Sequence, residues 1–207
     1  CKVGLGKLML DQGKAVEAEE FFQSASKLDK KNPDIFAKIG EAYLSNKKPN
    51  GNKAVEYLSM ARDMNPAVAK YWAHLGDAYE LTGNHGEAMT CYETAIKKDP
   101  TISSAYISMA RIWTKAKQDS LAIPLLEKAI ELSPDDAQPY KYLIELYIKN
   151  GKYAKVTPLL DKYVSLSGDD VDAKVRLVKF LTFQAKDYDR AILEGEKLLE
   201  TNPEQYT

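Results

Sequence analysis

The sequence predicts an all-α solenoid of about six helix-turn-helix repeats, and three observations carry that prediction. Gly6, Gly40 and Gly76 stand 34 and 36 residues apart, each just after a large apolar residue, Leu5, Ile39 or Leu75. Counting on by 34 meets Met109-Ala110, Leu143-Ile144 and Leu177-Val178. Three residues beyond each of these six sites stand Met9, Tyr43, Tyr79, Trp113, Tyr147 and Leu181, all large and apolar or aromatic. Pro66, Pro100 and Pro134 are also 34 apart and close successive units, since proline cannot continue a helix interior. One short helix pair cannot bury both its apolar faces, so such units stack on one another.

The repeats follow in order. The first, 1–32, begins two residues inside its first helix, and Ala25 holds the small site of its second. The second, 33–68, carries two extra residues in its turn, Lys47 to Asn52. Extra length in a turn adds little closure entropy. The third, 69–102, is the clearest. Trp72, Leu75, Gly76 and Tyr79 fall on one helical face, the chain breaks at Thr82-Gly83-Asn84, and Ala88, Tyr92 and Ala95 form a second face before Pro100. Antiparallel helices approach closely only over small side chains, so Gly76 and Ala88 are expected at the contact. The fourth repeat is 103–136 and the fifth 137–170. The sixth, 171–205, needs one extra residue near Lys186-Asp187. Larger residues enter small sites near the end: Ile144, Val178, Tyr163 and Leu198. Looser pairing is expected there, because overfilling a close contact costs about 1–3 kcal/mol unless the helices part. Pro124 and Pro158 should make their helices kink or begin late.

The order Trp72, Leu75-Gly76, Tyr79, Ala88, Tyr92, Ala95, Pro100 resembles the tetratricopeptide repeat, whose signature it meets with tyrosine in place of phenylalanine. The resemblance implies a right-handed superhelix, with first helices on the concave face and second helices on the convex one. It also implies a peptide or partner protein bound in the concave groove. Some members grip C-terminal carboxylates with set lysines and asparagines. Here Ala37, Glu41, His74 and Ser108 stand at such places, so a clamp of that type is not expected.

Composition narrows the function. The 207 residues carry a formal charge of -1, which argues against a general nucleic-acid binder. No apolar run approaches the ~18 residues of a membrane span, and the first residues of the sequence do not read as a secretory h-region. Cys1 and Cys91 form no disulfide framework and no metal spacing, so no cofactor is expected. Serine-hydrolase, P-loop, zincin and dinucleotide-binding motifs are absent. His74 beside Asp77 lacks a nucleophile or metal ligand at a matching place, and His85 sits in a turn. The expected role is therefore a non-catalytic protein-interaction scaffold, or a positioning segment of a larger protein.

The polar faces of the first helices supply the groove candidates: Lys38, Lys70, His74, Asp77, Arg111, Lys115, Lys141, Tyr142, Lys149, Arg176 and Lys179. On those faces, repeats four to six hold six bases against two acids, Glu145 and Asp172, while repeats one to three are slightly acidic. An acidic partner is expected towards repeats four to six. At the ends, Asn202-Pro203 before Tyr206-Thr207 reads as the opening of another repeat. With no polar helix to cover Leu198 and Leu199, the chain is expected to be part of a longer solenoid, or to self-associate through uncapped ends.

Overall fold

The computed structural model describes residues 2–168 and 170–201. Among them are twelve α-helices, in consecutive antiparallel pairs: α1 (Lys2–Asp11), α2 (Ala15–Leu28), α3 (Pro33–Leu44), α4 (Gly51–Met64), α5 (Ala69–Leu81), α6 (His85–Lys98), α7 (Ser103–Lys115), α8 (Asp119–Leu132), α9 (Ala137–Lys149), α10 (Val156–Ser167), α11 (Val171–Phe180) and α12 (Tyr188–Thr201). There is no strand among the described residues, and no helix of theirs is long and apolar enough to cross a membrane. The helices gather into two compact units, Cys1–Ile112 and Trp113–Thr207, and the division falls inside α7.

One backbone hydrogen bond recurs in all six repeats and sets the register. The carbonyl of the aromatic or apolar residue near the end of each first helix accepts the N–H of the residue opening the turn into the second. The pairs are Lys14 to Met9, Asn50 to Tyr43, Asn84 to Tyr79, Gln118 to Trp113, Lys152 to Tyr147 and Asp187 to Leu181, at 2.8–3.1 Å. The acceptors are the six residues that the period picks out. The donor follows its acceptor by five residues in four repeats, by seven in the second and by six in the sixth. The expected insertions therefore lie inside these turns. In the five repeats other than the second, the residue before the donor has a positive φ: Gly13, Gly83, Lys117, Gly151 and Lys186. The second repeat has Pro49 there, and proline is locked near φ −65°. It cannot enter the left-handed region, so this turn needs a longer path.

The extra residue of the sixth repeat is absorbed as a π-helical turn, Leu181–Ala185, before the left-handed Lys186. A π turn holds one more residue per turn than the helix it interrupts. In the fifth repeat a 3-10 turn, Tyr153–Lys155, replaces the first turn of the second helix, so α10 starts late and Pro158 is only its third residue. There its missing N–H would have had no intrahelical partner in any case. In contrast, α8 runs from Asp119 through Pro124 without a late start.

At the close helix approach Gly76 faces the ring of Tyr92: a Cβ added at Gly76 would lie 2.5 Å from Tyr92 Cε1. One added at Gly40 would lie 2.5 Å from Leu58 Cγ, and Gly6 meets Phe22 in the same way. Phe22, Leu58 and Tyr92 are themselves buried. The small residue is thus a socket for a large buried side chain of the second helix. Ala18, Ala54, Ala88 and Ala122, one turn earlier, are fully buried beneath it. Trp72, on the same helical face, packs at the edge of the core. It is half-buried, donates Nε1–H to the Pro66 carbonyl at 2.9 Å, and lies under the cations of Arg62 and Lys98, 5.4 and 5.9 Å from its ring centroid. Tyr106 and Tyr140 donate in the same way to Pro100 and Pro134, at 3.2 and 3.0 Å. Each of these rings ties a first helix to the proline that closes the previous repeat.

Candidate functional site

In the first unit most predicted groove residues are consumed by contacts between successive first helices. Glu41 of α3 takes Lys70 of α5 at 3.1 Å. His74 Nδ1 stands 3.0 Å from the same Glu41 oxygen, at ion-pair distance but without hydrogen-bond alignment. His74 beside Glu41 lowers its carboxyl most, burial opposes and Lys70 lowers it further, so that it is held down at about 2. Asp77 accepts the Tyr92 hydroxyl at 2.8 Å and the Ser108 hydroxyl at 3.2 Å. Burial outweighs these bonds and raises its pKa above the usual carboxylate value. Arg111 forms a bidentate pair with Glu80, at 3.1 and 2.7 Å. Lys38 is exposed on α3. The His74-Asp77 neighbourhood is therefore a polar seam between helices.

A second polar network escaped the sequence reading. Glu19 of α2 accepts the hydroxyls of Tyr43 at 2.5 Å and Tyr57 at 2.8 Å, with Lys53 at 3.5 Å. Burial pushes Glu19 up, but the two hydroxyls and the lysine outweigh it and hold its carboxyl below the ordinary value. The signal was present in part, since Tyr43 is one of the repeating aromatic residues. Nothing in the period points to Glu19 as its partner.

The second unit is arranged differently. A pocket of about 250 Å³ opens between α9, α10 and α11. Its floor is apolar, built from the buried Ile144, Leu160 and Phe180 with the half-buried Ile148. Its mouth carries Lys141, Glu145, Arg176 and Lys179, and Tyr163 and Gln184 complete the lining. The pocket lies where small residues give way to large ones. Ile144 fills the socket position on α9, and Tyr163 replaces the alanine found at the matching place in earlier second helices. Bulk at those points keeps the helices from closing.

The eleven predicted residues thus separate. Lys141, Arg176 and Lys179 come together at the pocket mouth. Arg176 reaches Glu145 at 3.6 Å, both about half exposed, whereas Lys141 and Lys179 have no carboxylate partner among the described residues. Lys149 lies away from the pocket and pairs with Asp119 of α8 at 2.7 Å. Tyr142 is half-buried on α9 outside the lining, and Lys115 is exposed at the end of α7. Among the described residues no group of three or more His, Cys, Asp or Glu could hold a metal ion. Cys91 is buried, and that burial pushes its thiol up to about 11. α12 exposes Ile192, Leu193 and Leu199. Cys1, Asn202, Pro203, Tyr206 and Thr207, on which the expectations about the chain ends rest, lie outside the described residues.

Residues 69–102 match the family pattern described as tetratricopeptide repeat. The human cilia- and flagella-associated protein 70 is 45% identical over 49 residues, a stretch covering 24% of this chain and 4% of that much longer protein. Among solved structures, PilF of Pseudomonas aeruginosa aligns with a TM-score of 0.74 at 18% identity, covering 98% of this chain and 91% of its own. YrrB, whose structure is titled as that of a TPR protein with an unusual peptide-binding site, aligns with a TM-score of 0.62 at 16% identity, covering 88% and 93%. At these identities the two structures speak for the fold. With one repeat matched outright and its turn bond recurring five times more, the chain has the helix-pair solenoid fold of the tetratricopeptide-repeat structures it aligns with.

Proposed function

We propose that the chain is a non-catalytic scaffold that binds a peptide or partner protein on the first-helix face of its second unit, and that the partner is acidic there. The observation that carries this reading is the apolar pocket between α9 and α11 with cations at its mouth. Binding sites are typically concave and mostly apolar, with a few polar groups that orient the ligand. In the first unit the corresponding charges face one another across successive helices, which leaves less of that surface for a partner. Protein interaction is the common work of the family, and the peptide-binding site named for YrrB supports the same reading by analogy.

A positioning role within a larger protein is the second reading. It is favoured by the 49-residue likeness to a protein of which this stretch is only 4%. Scaffold and positioning segment both require a partner surface, so one experiment addresses the shared claim. Random linear peptides displayed on phage should yield an enriched group binding this chain. Hydrogen exchange of the complex should then show protection in α9 and α11. Failure to enrich any peptide, or protection confined to the first unit, would count against the proposal.

A further inference from the structure

We infer that the pocket between α9, α10 and α11 takes one bulky apolar side chain, of phenylalanine or leucine size, from a partner segment that carries carboxylates on both sides of it; this rests on the scaffold reading above. Size comes first. An apolar cavity of ~150 Å³ holds a benzene ring. A pocket of about 250 Å³ therefore has room for one ring and its linking carbons. The lining comes second. Ile144, Leu160 and Phe180 are 6%, 2% and 3% exposed and offer carbon alone, so a polar side chain pushed among them would lose its water without gaining a partner.

Charge comes third and sets what flanks the anchor. Four charged groups ring the mouth, three of them cationic. Glu145 and Arg176 satisfy one another loosely at 3.6 Å. Lys141 on α9 and Lys179 on α11 remain without a carboxylate among the described residues. They stand on the two helices that flank the opening, so a chain threading between those helices meets a lysine on either side of its buried side chain. A flanking lysine in the partner would meet like charge at both places, which is how such a site rejects the wrong sequence. The bulk at Ile144 and Tyr163 that parts the helices is thus also what opens a seat for the anchor.

The test uses the whole chain and fluorescein-labelled pentapeptides, read by anisotropy. The probe Asp-Glu-Phe-Glu-Asp should bind at least tenfold more tightly than Asp-Glu-Ser-Glu-Asp, and also than Lys-Lys-Phe-Lys-Lys. The double variant Lys141→Ala with Lys179→Ala should weaken the probe at least fivefold and flatten its salt dependence. Both lysines lie at the mouth, so an unchanged thermal melt is expected and would separate lost binding from lost folding. Lys179→Glu alone should weaken the probe and narrow its advantage over Lys-Lys-Phe-Lys-Lys. Equal affinity for the phenylalanine and serine peptides would overturn the anchor. Retained affinity in the double-lysine variant would overturn the carboxylate flanks. If displayed peptides bind at α9 and α11 but lack flanking carboxylates, the scaffold reading stands and this inference falls. If no peptide binds at all, both fall.

Discussion

At Gly76 a single hydrogen atom decides how far Tyr92 can descend between α5 and α6. An added methyl would meet that ring at 2.5 Å, well inside contact distance, and the ring is 1% exposed with its hydroxyl held by Asp77. Gly76→Ala should therefore destabilise the protein by about 1–3 kcal/mol despite alanine's better helix propensity, measured by urea unfolding. A gain in stability would show that Tyr92 can move aside. A second residue-scale prediction concerns Glu41. Its pKa is depressed to about 2 by His74 and Lys70, against the burial that opposes them. A depressed carboxylate contributes stability that is fully present above the unfolded pKa, near 4.5, and is lost as pH falls towards 2. His74→Ala should remove the larger of the two pairings, so that Glu41 titrates closer to 4.5 and the acid loss it carries becomes smaller and is complete at a higher pH. Carboxyl chemical shifts would report it, and an unmoved Glu41 titration would refute the pairing.

At the scale of elements, the turns explain the irregular period. Five of the six use a left-handed residue before the recurring N–H donor, and two of those residues are lysines, Lys117 and Lys186. A side chain in that region is strained in a way glycine is not. Lys117→Gly should therefore stabilise the protein by about 0.5–1 kcal/mol, less whatever glycine's extra freedom in the unfolded chain takes back. A thermal melt would show the sign, and a clear loss of stability would mean that the lysine side chain contributes contacts that outweigh the strain. The second turn was legible as a length anomaly and no more, because sequence counting finds two extra residues without showing that Pro49 forbids the shorter path. The sixth was similar: the count located one residue near Lys186, and the helix chose to take it up as a π turn just before that point.

At the scale of the whole molecule, repeat arrays hold together chiefly through neighbouring units, so damage should stay local. Leu160 is 2% exposed, at the floor of the pocket in the second unit. Leu160→Ala should cost about 2–5 kcal/mol locally. Amide exchange should quicken across α9 to α12, while α1 to α4 keep their protection. Uniform loss of protection through both units would instead point to a single cooperative block. The same scale holds the charge pattern. Six bases on the late first helices were visible as residues, but Arg111 and Lys149 turned out to have Glu80 and Asp119 beside them. Their share in any long-range field is correspondingly reduced.

By itself the sequence determined the helix pairs, their number and their register. These depend on local periodicity and on where glycine and proline fall, and such signals survive in a linear string. Met9, Tyr43, Tyr79, Trp113, Tyr147 and Leu181 could be picked out by counting because each occupies the same place in a repeated local geometry. Only the tertiary structure decided which charges were already spent and where a cavity stayed open. An ion pair such as Glu80 with Arg111 joins residues 31 apart across adjacent first helices, and its existence depends on the separation and rotation of those helices. The pocket depends on the same quantities. Ile144 and Tyr163 could be read as oversized for their sites, but whether oversize produces strain, a kink or an opening is settled by how three helices share the space around them.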